Sequence, residues 1–291
     1  MEYISYQKLI EDIKINFIKV PKDILGVIGV PRSGMLPATI IANQLNVGLC
    51  TINEFVEKGA IIFDKNHGNR KLRSVQSKKI LVVDDTCYNG TETKKNRAKL
   101  SCFNEEYEFV YMCIYLEGNC IVDKPDLYLV NIVDKVKNSG FDICLYEWNL
   151  FSNPAIMEKT IFDLDGVLCA EPPDERNLTD YLHYINNPIP LIVPTLDRIT
   201  VCTYRLIKYK EETLKFLDNV GLTEKMVYMF NSNTYEERSK TPPYVYKSYI
   251  YNKLSDYKLF VESNDNQARE ICKITKKPVY CVETNKLYNL Q

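Results

Sequence analysis

Apolar, β-rich runs alternate with helical patterns along this chain, and the alternation occurs twice. In the first half, strands are predicted at 24–30, 79–85, 107–116 and 126–133, with a helix at 35–45. In the second half, strands are predicted at 159–165, 198–204, 226–230, 258–263 and 278–283, with helices at 208–220 and near 244–254. This pattern indicates two consecutive α/β domains with doubly wound parallel sheets. We place the boundary at the Asn-Pro break, giving domains 1–155 and 156–291.

The charge balance limits what the protein binds. Lys+Arg number 37 and Asp+Glu 38, for a formal net charge of -1. No global field attracts nucleic acid or an anionic membrane, so any phosphate-binding site must be local. The chain begins without a basic stretch followed by an apolar core, and no apolar run approaches about 20 residues. We therefore expect a cytoplasmic protein without membrane insertion; its oligomeric state stays open, a homo-oligomer included.

Cysteine and histidine usage restricts the chemistry. The ten cysteines are scattered without CxxC spacing, so we expect reduced, mostly buried thiols. The two histidines, His67 and His183, fall in polar segments that resemble loops. A Ser-His-Asp or Cys-His mechanism is therefore not indicated, and carboxylates acting with a hard metal ion are favoured.

The segment VVDDTCYNGTET (82–93) places two acids at the end of a predicted strand, before a small-residue turn and a helix. Ligands bind at such strand ends in open α/β sheets. Asp84 and Asp85 would meet sugar hydroxyls. The backbone N–H groups of the following turn and helix start would bind a monophosphate; these residues are Tyr88, Asn89, Gly90, Thr91 and Glu92.

A second loop, GVPRSG (29–34), also follows a predicted strand and opens a helix. It offers Arg32, Ser33 and Gly34. Together the two loops resemble the diphosphate loop and the phosphoribosyl-diphosphate motif of type I phosphoribosyltransferases, over roughly residues 20–150. The resemblance implies that phosphoribosyl diphosphate (PRPP) binds with Mg²⁺, its ribose on Asp84 and Asp85, its 5-phosphate on the 88–92 turn and its diphosphate near Arg32 and Ser33.

The acceptor is not fixed by these motifs. Tyr88 and Glu92 depart from the usual family residues, which leaves a side-chain base at Tyr88 in doubt. The basic segment 64–79, with Arg70, Lys71 and Arg73, is expected to form a mobile loop that closes over the diphosphate, or else a solvated surface. The segment 141–153 corresponds to the family's acceptor hood, where Trp148 would either stack on an acceptor ring or pack between domains.

In the second half, KTIFDLDGVLC (159–169) places Asp163 and Asp165 two residues apart at a strand end. One carboxylate can attack phosphorus, while the other serves as the acid for the leaving oxygen and then as the base for water. This pattern closely resembles motif I of the haloacid dehalogenase (HAD) superfamily of phosphatases.

Later segments resemble the remaining HAD motifs in order. Thr203 would hold the phosphoryl group, and the motif III lysine is either Lys247, which we favour, or Lys240. Glu262 and Asp265 would complete a magnesium site with Asp163 and the backbone carbonyl of Asp165. Only residues 166–202 separate motif I from Thr203, so the cap is minimal and the substrate is expected to be bulky.

The two resemblances suggest that the second domain removes the 5-phosphate that the first installs. Tandem proteins of bacterial glycan loci resemble this layout, which implies ribofuranose transfer to a glycan or another bulky hydroxyl compound. Two alternatives stay open: nucleobase phosphoribosylation with 5-nucleotide dephosphorylation, and a PRPP sensor without catalysis.

Overall fold

The computed structural model describes residues 1–61, 76–137, 144–196 and 198–289. The chain divides into two compact units, which we call the N-terminal unit (Glu2–Cys144) and the C-terminal unit (Leu145–Gln291, with Met1). Residues 145–155, expected in the first domain, fall in the C-terminal unit. There the Phe151 ring packs 6.1 Å from that of Phe162, and the Phe151 carbonyl accepts the Thr195 N–H.

The described part of the N-terminal unit contains a parallel five-stranded sheet covered by helices. The strands of this unit are β1 (Tyr3–Ile4), which lies outside the five-stranded sheet, and β2 (Gly26–Gly29), β3 (Gly48–Thr51), β4 (Lys79–Cys87), β5 (Glu108–Leu116) and β6 (Leu127–Asn131), which form it. Its helices are α1 (Tyr6–Asn16), α2 (Met35–Leu45), α3 (Ile52–Lys58), α4 (Thr91–Leu100) and α5 (Val133–Lys137). The strand order is β3-β2-β4-β5-β6, so the chain reverses direction across the sheet between β2 and β4. The central strands are buried, which explains their continuous apolar runs.

The described part of the C-terminal unit is built on a six-stranded sheet ordered β10-β9-β8-β11-β12-β13. The strands of this unit are β7 (Leu145–Tyr146), which lies outside the six-stranded sheet, and β8 (Thr160–Phe162), β9 (Arg198–Leu206), β10 (Glu224–Phe230), β11 (Leu259–Glu262), β12 (Val279–Cys281) and β13 (Lys286–Tyr288), which form it. Its helices are α6 (Pro154–Met157), α7 (Leu178–Asn186), α8 (Lys210–Asn219), α9 (Tyr235–Arg238), α10 (Pro243–Lys253) and α11 (Asp265–Thr275). The strand order reverses at β8, which lies between β9 and β11.

The expected α/β class with parallel sheets is confirmed, with two differences of detail. The edge strand β13 pairs antiparallel with β12, because only the short turn between Cys281 and Lys286 joins them. The Pro-rich stretch 171–198 contains α7, and His183 is exposed on this helix rather than in a loop.

All ten cysteines lie in the described ranges, none of them forms a disulfide, and eight of them are buried. The predicted mobile loop falls largely outside the described residues, since 62–75 includes His67, Arg70, Lys71 and Arg73. Within the described residues, no helix is long and apolar enough to cross a bilayer.

Candidate active sites

In the N-terminal unit, the two predicted ligand loops follow neighbouring strands. Gly29 of β2 pairs with Val83 of β4, and the Val30 N–H donates to the Val83 carbonyl over 2.9 Å. The loop at 30–34 therefore leaves the sheet beside Asp84, at the reversal of strand order. This is the position at which open α/β sheets bind ligands.

Gly34 allows the first loop to lie directly on β4. A Cβ at this position would lie 2.7 Å from the Val30 carbonyl oxygen, 2.8 Å from that of Val83 and 2.9 Å from the Asp84 Cα. Such contacts are closer than side-chain carbons adopt, so only glycine fits without a backbone shift. Arg32 is exposed and Ser33 half-buried in this loop, and the Pro31–Arg32 peptide is cis.

Asp84 and Asp85 concentrate negative charge near the end of β4. Asp84 Oδ1 accepts the Asp85 N–H and Asp85 Oδ1 accepts the Thr86 N–H, each over 2.9 Å. Burial, and then the Asp85 carboxylate, raise the pKa of Asp84 well above its usual value. Hydroxyl donors or a cation would offset this crowding of like charge.

The turn after β4 is held by the segment that follows β5. The Tyr88 carbonyl accepts the Cys120 N–H over 3.1 Å, and the Asn89 carbonyl accepts the Val122 N–H over 2.9 Å. Gly90 has φ 87°, in the left-handed region that favours glycine. The exposed Tyr88 and Asn89 therefore sit on a braced turn.

The start of α4 is already partly occupied by its own side chains. Asn89 Oδ1 accepts the Thr91 N–H over 3.0 Å, and Glu92 pairs with Lys95 over 2.6 Å. A phosphate at this helix start would displace Asn89 from the Thr91 amide. The Glu92 carboxylate is engaged by its own helix, which reduces its repulsion of an anion.

In the C-terminal unit, one lysine joins the predicted nucleophile to the motif IV acid. Lys247 Nζ, on α10, donates to Asp163 Oδ2 over 2.8 Å, to Glu262 Oε2 over 2.7 Å and to Gln267 Oε1 over 3.1 Å. Burial and Glu262 raise the pKa of Asp163, although Lys247 opposes them. Burial lowers the pKa of Lys247, but Asp163 and Glu262 outweigh it and raise that pKa overall. Lys240 is exposed outside this group.

The structure does not bring all four predicted metal-binding residues together. Glu262 Oε1 accepts the backbone N–H groups of Ser263 and Asn264 over 3.1 and 3.2 Å. Asp265 faces other partners: its carboxylate accepts from Arg269, Thr284 and Tyr288. Among the described residues, no group of three or more His, Cys, Asp or Glu side chains is placed to hold a metal ion.

A buried arginine that the sequence analysis did not predict binds Asp165. Arg205 donates through Nε to both Asp165 oxygens, over 3.1 and 3.0 Å, and through Nη2 over 2.6 Å. The Tyr184 hydroxyl donates to Asp165 Oδ1 over 2.6 Å. Burial acts to raise the pKa of Asp165, but Arg205 outweighs it and holds that pKa below its usual value. The arrangement favours the ionised carboxylate.

Thr203 lies inside β9 and is fully buried, and its Oγ1 accepts the Arg205 N–H over 3.2 Å. Trp148 belongs to the C-terminal unit, where its ring lies 4.9 Å from that of Tyr146. Residues 141–143 of the predicted hood lie outside the described residues.

Asp163, Asp165 and Lys247 line a cleft of about 250 Å³ within the C-terminal unit. Other lining residues come from the segment after β8, from β9 and from α9; they include Glu171, Glu175, Tyr181, Tyr204, Tyr235 and Arg238. Of these, only Tyr204 lies in a segment that the motifs had indicated. The cleft therefore joins the predicted nucleophile to a wall of aromatic and charged side chains.

No family model matches the sequence, and no curated protein matches it. Among solved structures, the chain is similar to a purine phosphoribosyltransferase from Pyrococcus horikoshii Ot3, at 14% identity, a TM-score of 0.35, and coverage of 50% of this chain and 92% of that one. The same four values describe its similarity to the Helicobacter pylori xanthine-guanine-hypoxanthine phosphoribosyltransferase. For orotate phosphoribosyltransferase from Aeropyrum pernix, the identity is 15%, the TM-score 0.31 and the coverage 46% and 75%. Values this low leave the activity to be argued from the chain's own residues.

Proposed function

We propose that the protein is a bifunctional enzyme that transfers 5-phosphoribose from PRPP to a hydroxyl acceptor, most simply a glycan, and then removes the 5-phosphate. One observation carries this proposal. In each unit, a pair of carboxylates lies where the strand order reverses, within the last four residues of β4 in one unit and just after β8 in the other. Open α/β sheets bind ligands at such positions.

In the N-terminal unit, Asp84 and Asp85 accept hydrogen bonds from the ribose hydroxyls, and the turn at 88–92 binds the 5-phosphate through backbone amides. Arg32 and Ser33 lie near the diphosphate, whose charge grows as the bond to the anomeric carbon breaks. An exposed arginine beside that leaving group stabilises the developing charge. The acceptor oxygen forms the new bond to the anomeric carbon as the bond to diphosphate breaks, and its proton passes to the departing diphosphate or to solvent water.

In the C-terminal unit, an oxygen of Asp163 attacks phosphorus and the sugar oxygen leaves with a proton supplied by Asp165. Water then attacks the aspartyl phosphate, Asp165 accepts a proton, and Asp163 is regenerated. Arg205 favours the ionised Asp165 that the second step requires and disfavours the protonated Asp165 that the first step requires. Lys247 offsets negative charge between Asp163 and the phosphate.

The oxygen donors of the C-terminal site suit Mg²⁺. Asp163, Glu262 and the backbone carbonyl of Asp165 would hold it, since carboxylate and carbonyl oxygens are its preferred ligands. Asp265, engaged by Arg269 and Tyr288, would have to turn to join them. When bound, the ion supplies positive charge beside the phosphoryl group.

The test uses the full chain with PRPP, Mg²⁺ and candidate glycan acceptors. We expect the wild type to release diphosphate and then phosphate. Asp163→Asn should release diphosphate only, and mass spectrometry should find an acceptor heavier by one phosphoribosyl group. The exposed Asp256→Asn serves as the matched control and should behave as wild type.

Three outcomes would redirect the proposal. If Asp163→Asn releases phosphate normally, the sequential scheme is wrong. If diphosphate release requires a nucleobase rather than a glycan, the enzyme acts in nucleotide metabolism. If PRPP binds but no acceptor consumes it, the N-terminal unit is a sensor.

A further inference from the structure

The cations that line the phosphatase cleft are already paired. Lys247 binds Asp163 and Glu262, and Arg205 binds Asp165. The third, Arg238, binds Glu175, with both side chains about nine-tenths buried. Among the described residues lining the cleft, no cation is left over to meet a second anionic group.

Breaking such pairs is costly. Removing one member of a buried ion pair leaves an uncompensated buried charge. A substrate with a second phosphate would either draw Arg238 from Glu175 or place its charge beside Glu171 and Glu175. The charge pattern therefore favours a single phosphate attached to an uncharged group.

The cleft is also lined by tyrosine rings and by polar side chains that other groups hold in place. The Arg238 guanidinium lies 4.7 Å from the centroid of Tyr204 and 5.5 Å from that of Tyr235. Arg238 Nη1 donates to the Tyr204 carbonyl over 3.0 Å, and the Tyr204 hydroxyl donates back to the Arg238 carbonyl over 2.6 Å. These mutual bonds hold Arg238 and Tyr204 in place, while Tyr235 is 43% exposed.

We propose that Tyr204, Tyr235 and the Arg238–Glu175 pair form a sugar-binding wall, and that the cleft selects monophosphate esters of sugars over esters carrying a second phosphate. This inference rests on the proposed phosphatase function. Tyrosine rings supply flat apolar surface for the carbon face of a sugar, and the ion pair supplies a donor and an acceptor for its hydroxyls. A volume of about 250 Å³ is small beside the about 300–1,000 Å³ of pockets that enclose drug-sized ligands. The cleft holds the sugar phosphate and leaves the acceptor outside.

The experiment compares three substrates on the full chain with Mg²⁺: ribose 5-phosphate, ribose 1,5-bisphosphate and p-nitrophenyl phosphate. We expect kcat/KM for ribose 5-phosphate to exceed that for the bisphosphate by about tenfold or more. Tyr235→Leu should lower the ratio of kcat/KM for ribose 5-phosphate over that for p-nitrophenyl phosphate by about fivefold, mainly through KM. Tyr249→Leu, at an exposed position of α10 outside the cleft, is the control.

The possible results separate this inference from the proposed function. Equal use of the two ribose phosphates, or an unchanged ratio in Tyr235→Leu, overturns the inference while the phosphatase proposal stands. If the wild type hydrolyses no ester, the phosphatase proposal fails. In that case, calorimetry measures the affinity of the wild type and of Tyr235→Leu for ribose 5-phosphate, which tests the sugar-binding wall independently of hydrolysis. Equal affinities would overturn the inference.

Discussion

The two candidate sites occupy the same place in their sheets but are assembled differently. The C-terminal site is made of buried side chains that neutralise one another, with Lys247 and Arg205 each almost fully enclosed. The N-terminal site is made of backbone loops that carry exposed side chains such as Arg32 and Tyr88. Substitutions should therefore lower stability and activity together in the C-terminal site, whereas in the N-terminal site they should lower activity without lowering stability.

The largest effect is expected for Lys247→Met. This change leaves Asp163 and Glu262 buried without their shared cation, so we expect the free energy of unfolding of the C-terminal unit to fall by about 3–5 kcal/mol. Trp148 is the only tryptophan and lies in that unit, so its fluorescence during urea unfolding measures the change.

The exposed Lys240→Met is the matched control and should change the free energy of unfolding by less than about 0.5 kcal/mol. A similar loss for both variants would show that the buried lysine does not hold the site together.

For Arg205→Met we expect the free energy of unfolding to fall by about 3 kcal/mol, a smaller loss, because only the carboxylate of Asp165 is left buried without its cation. The double variant Arg205→Met with Asp165→Asn should recover part of it, with a coupling energy of about 1–3 kcal/mol. The same urea transition measures this cycle. Additive losses would mean that the pair contributes nothing beyond its separate side chains.

The smallest stability change should come from Asp84→Asn, and it should have the opposite sign. The pKa of Asp84 is raised in the folded state. The contribution of this carboxyl group to folding stability is therefore fully present below about pH 3.9 and is lost as the pH rises through the pKa of the folded state. Asparagine keeps an oxygen for the Asp85 N–H and carries no charge, so we expect about 1 kcal/mol more stability at pH 7.

Far-UV circular dichroism during urea unfolding, at pH 4 and pH 7, checks this prediction, while diphosphate release from PRPP should fall at least about 100-fold. Surface Asp134→Asn is the control. A destabilised Asp84→Asn would mean that the carboxylate is part of the packing rather than held for a ligand.

The sequence predicted the long central strands well because they are buried on both faces. β5 begins one residue after the predicted start and ends where expected. The helix α4, TETKKNRAKL, was expected only from the motif that precedes it, because it lacks an apolar stripe, and β3 is too short for a periodicity to show. Tertiary packing, rather than local pattern, settles such elements.

The sequence also indicated which carboxylates lie at or near the strand ends, although β4 continues to Cys87 rather than ending at Asp85. It did not indicate all the side chains that complete the sites. The choice between Lys247 and Lys240 depended on where α10 begins; with its start at Pro243, Lys247 lies on the buried face and Lys240 before the helix. Arg205 had a usable signal, since a charged residue in an apolar strand, two positions after Thr203, requires a buried partner. Arg238 and Glu175 had none, because the segments around them lack a regular pattern.

The absence of a side chain at Gly34 has a consequence for how the N-terminal site responds to ligand. The backbone of the first loop rests on Val83 and Asp84 with no flexible group between them. A ligand that shifts the loop at 30–34 would therefore also shift β4, which carries Asp84 and Asp85. Binding at this loop and binding at these two acids would thus be coupled through the backbone.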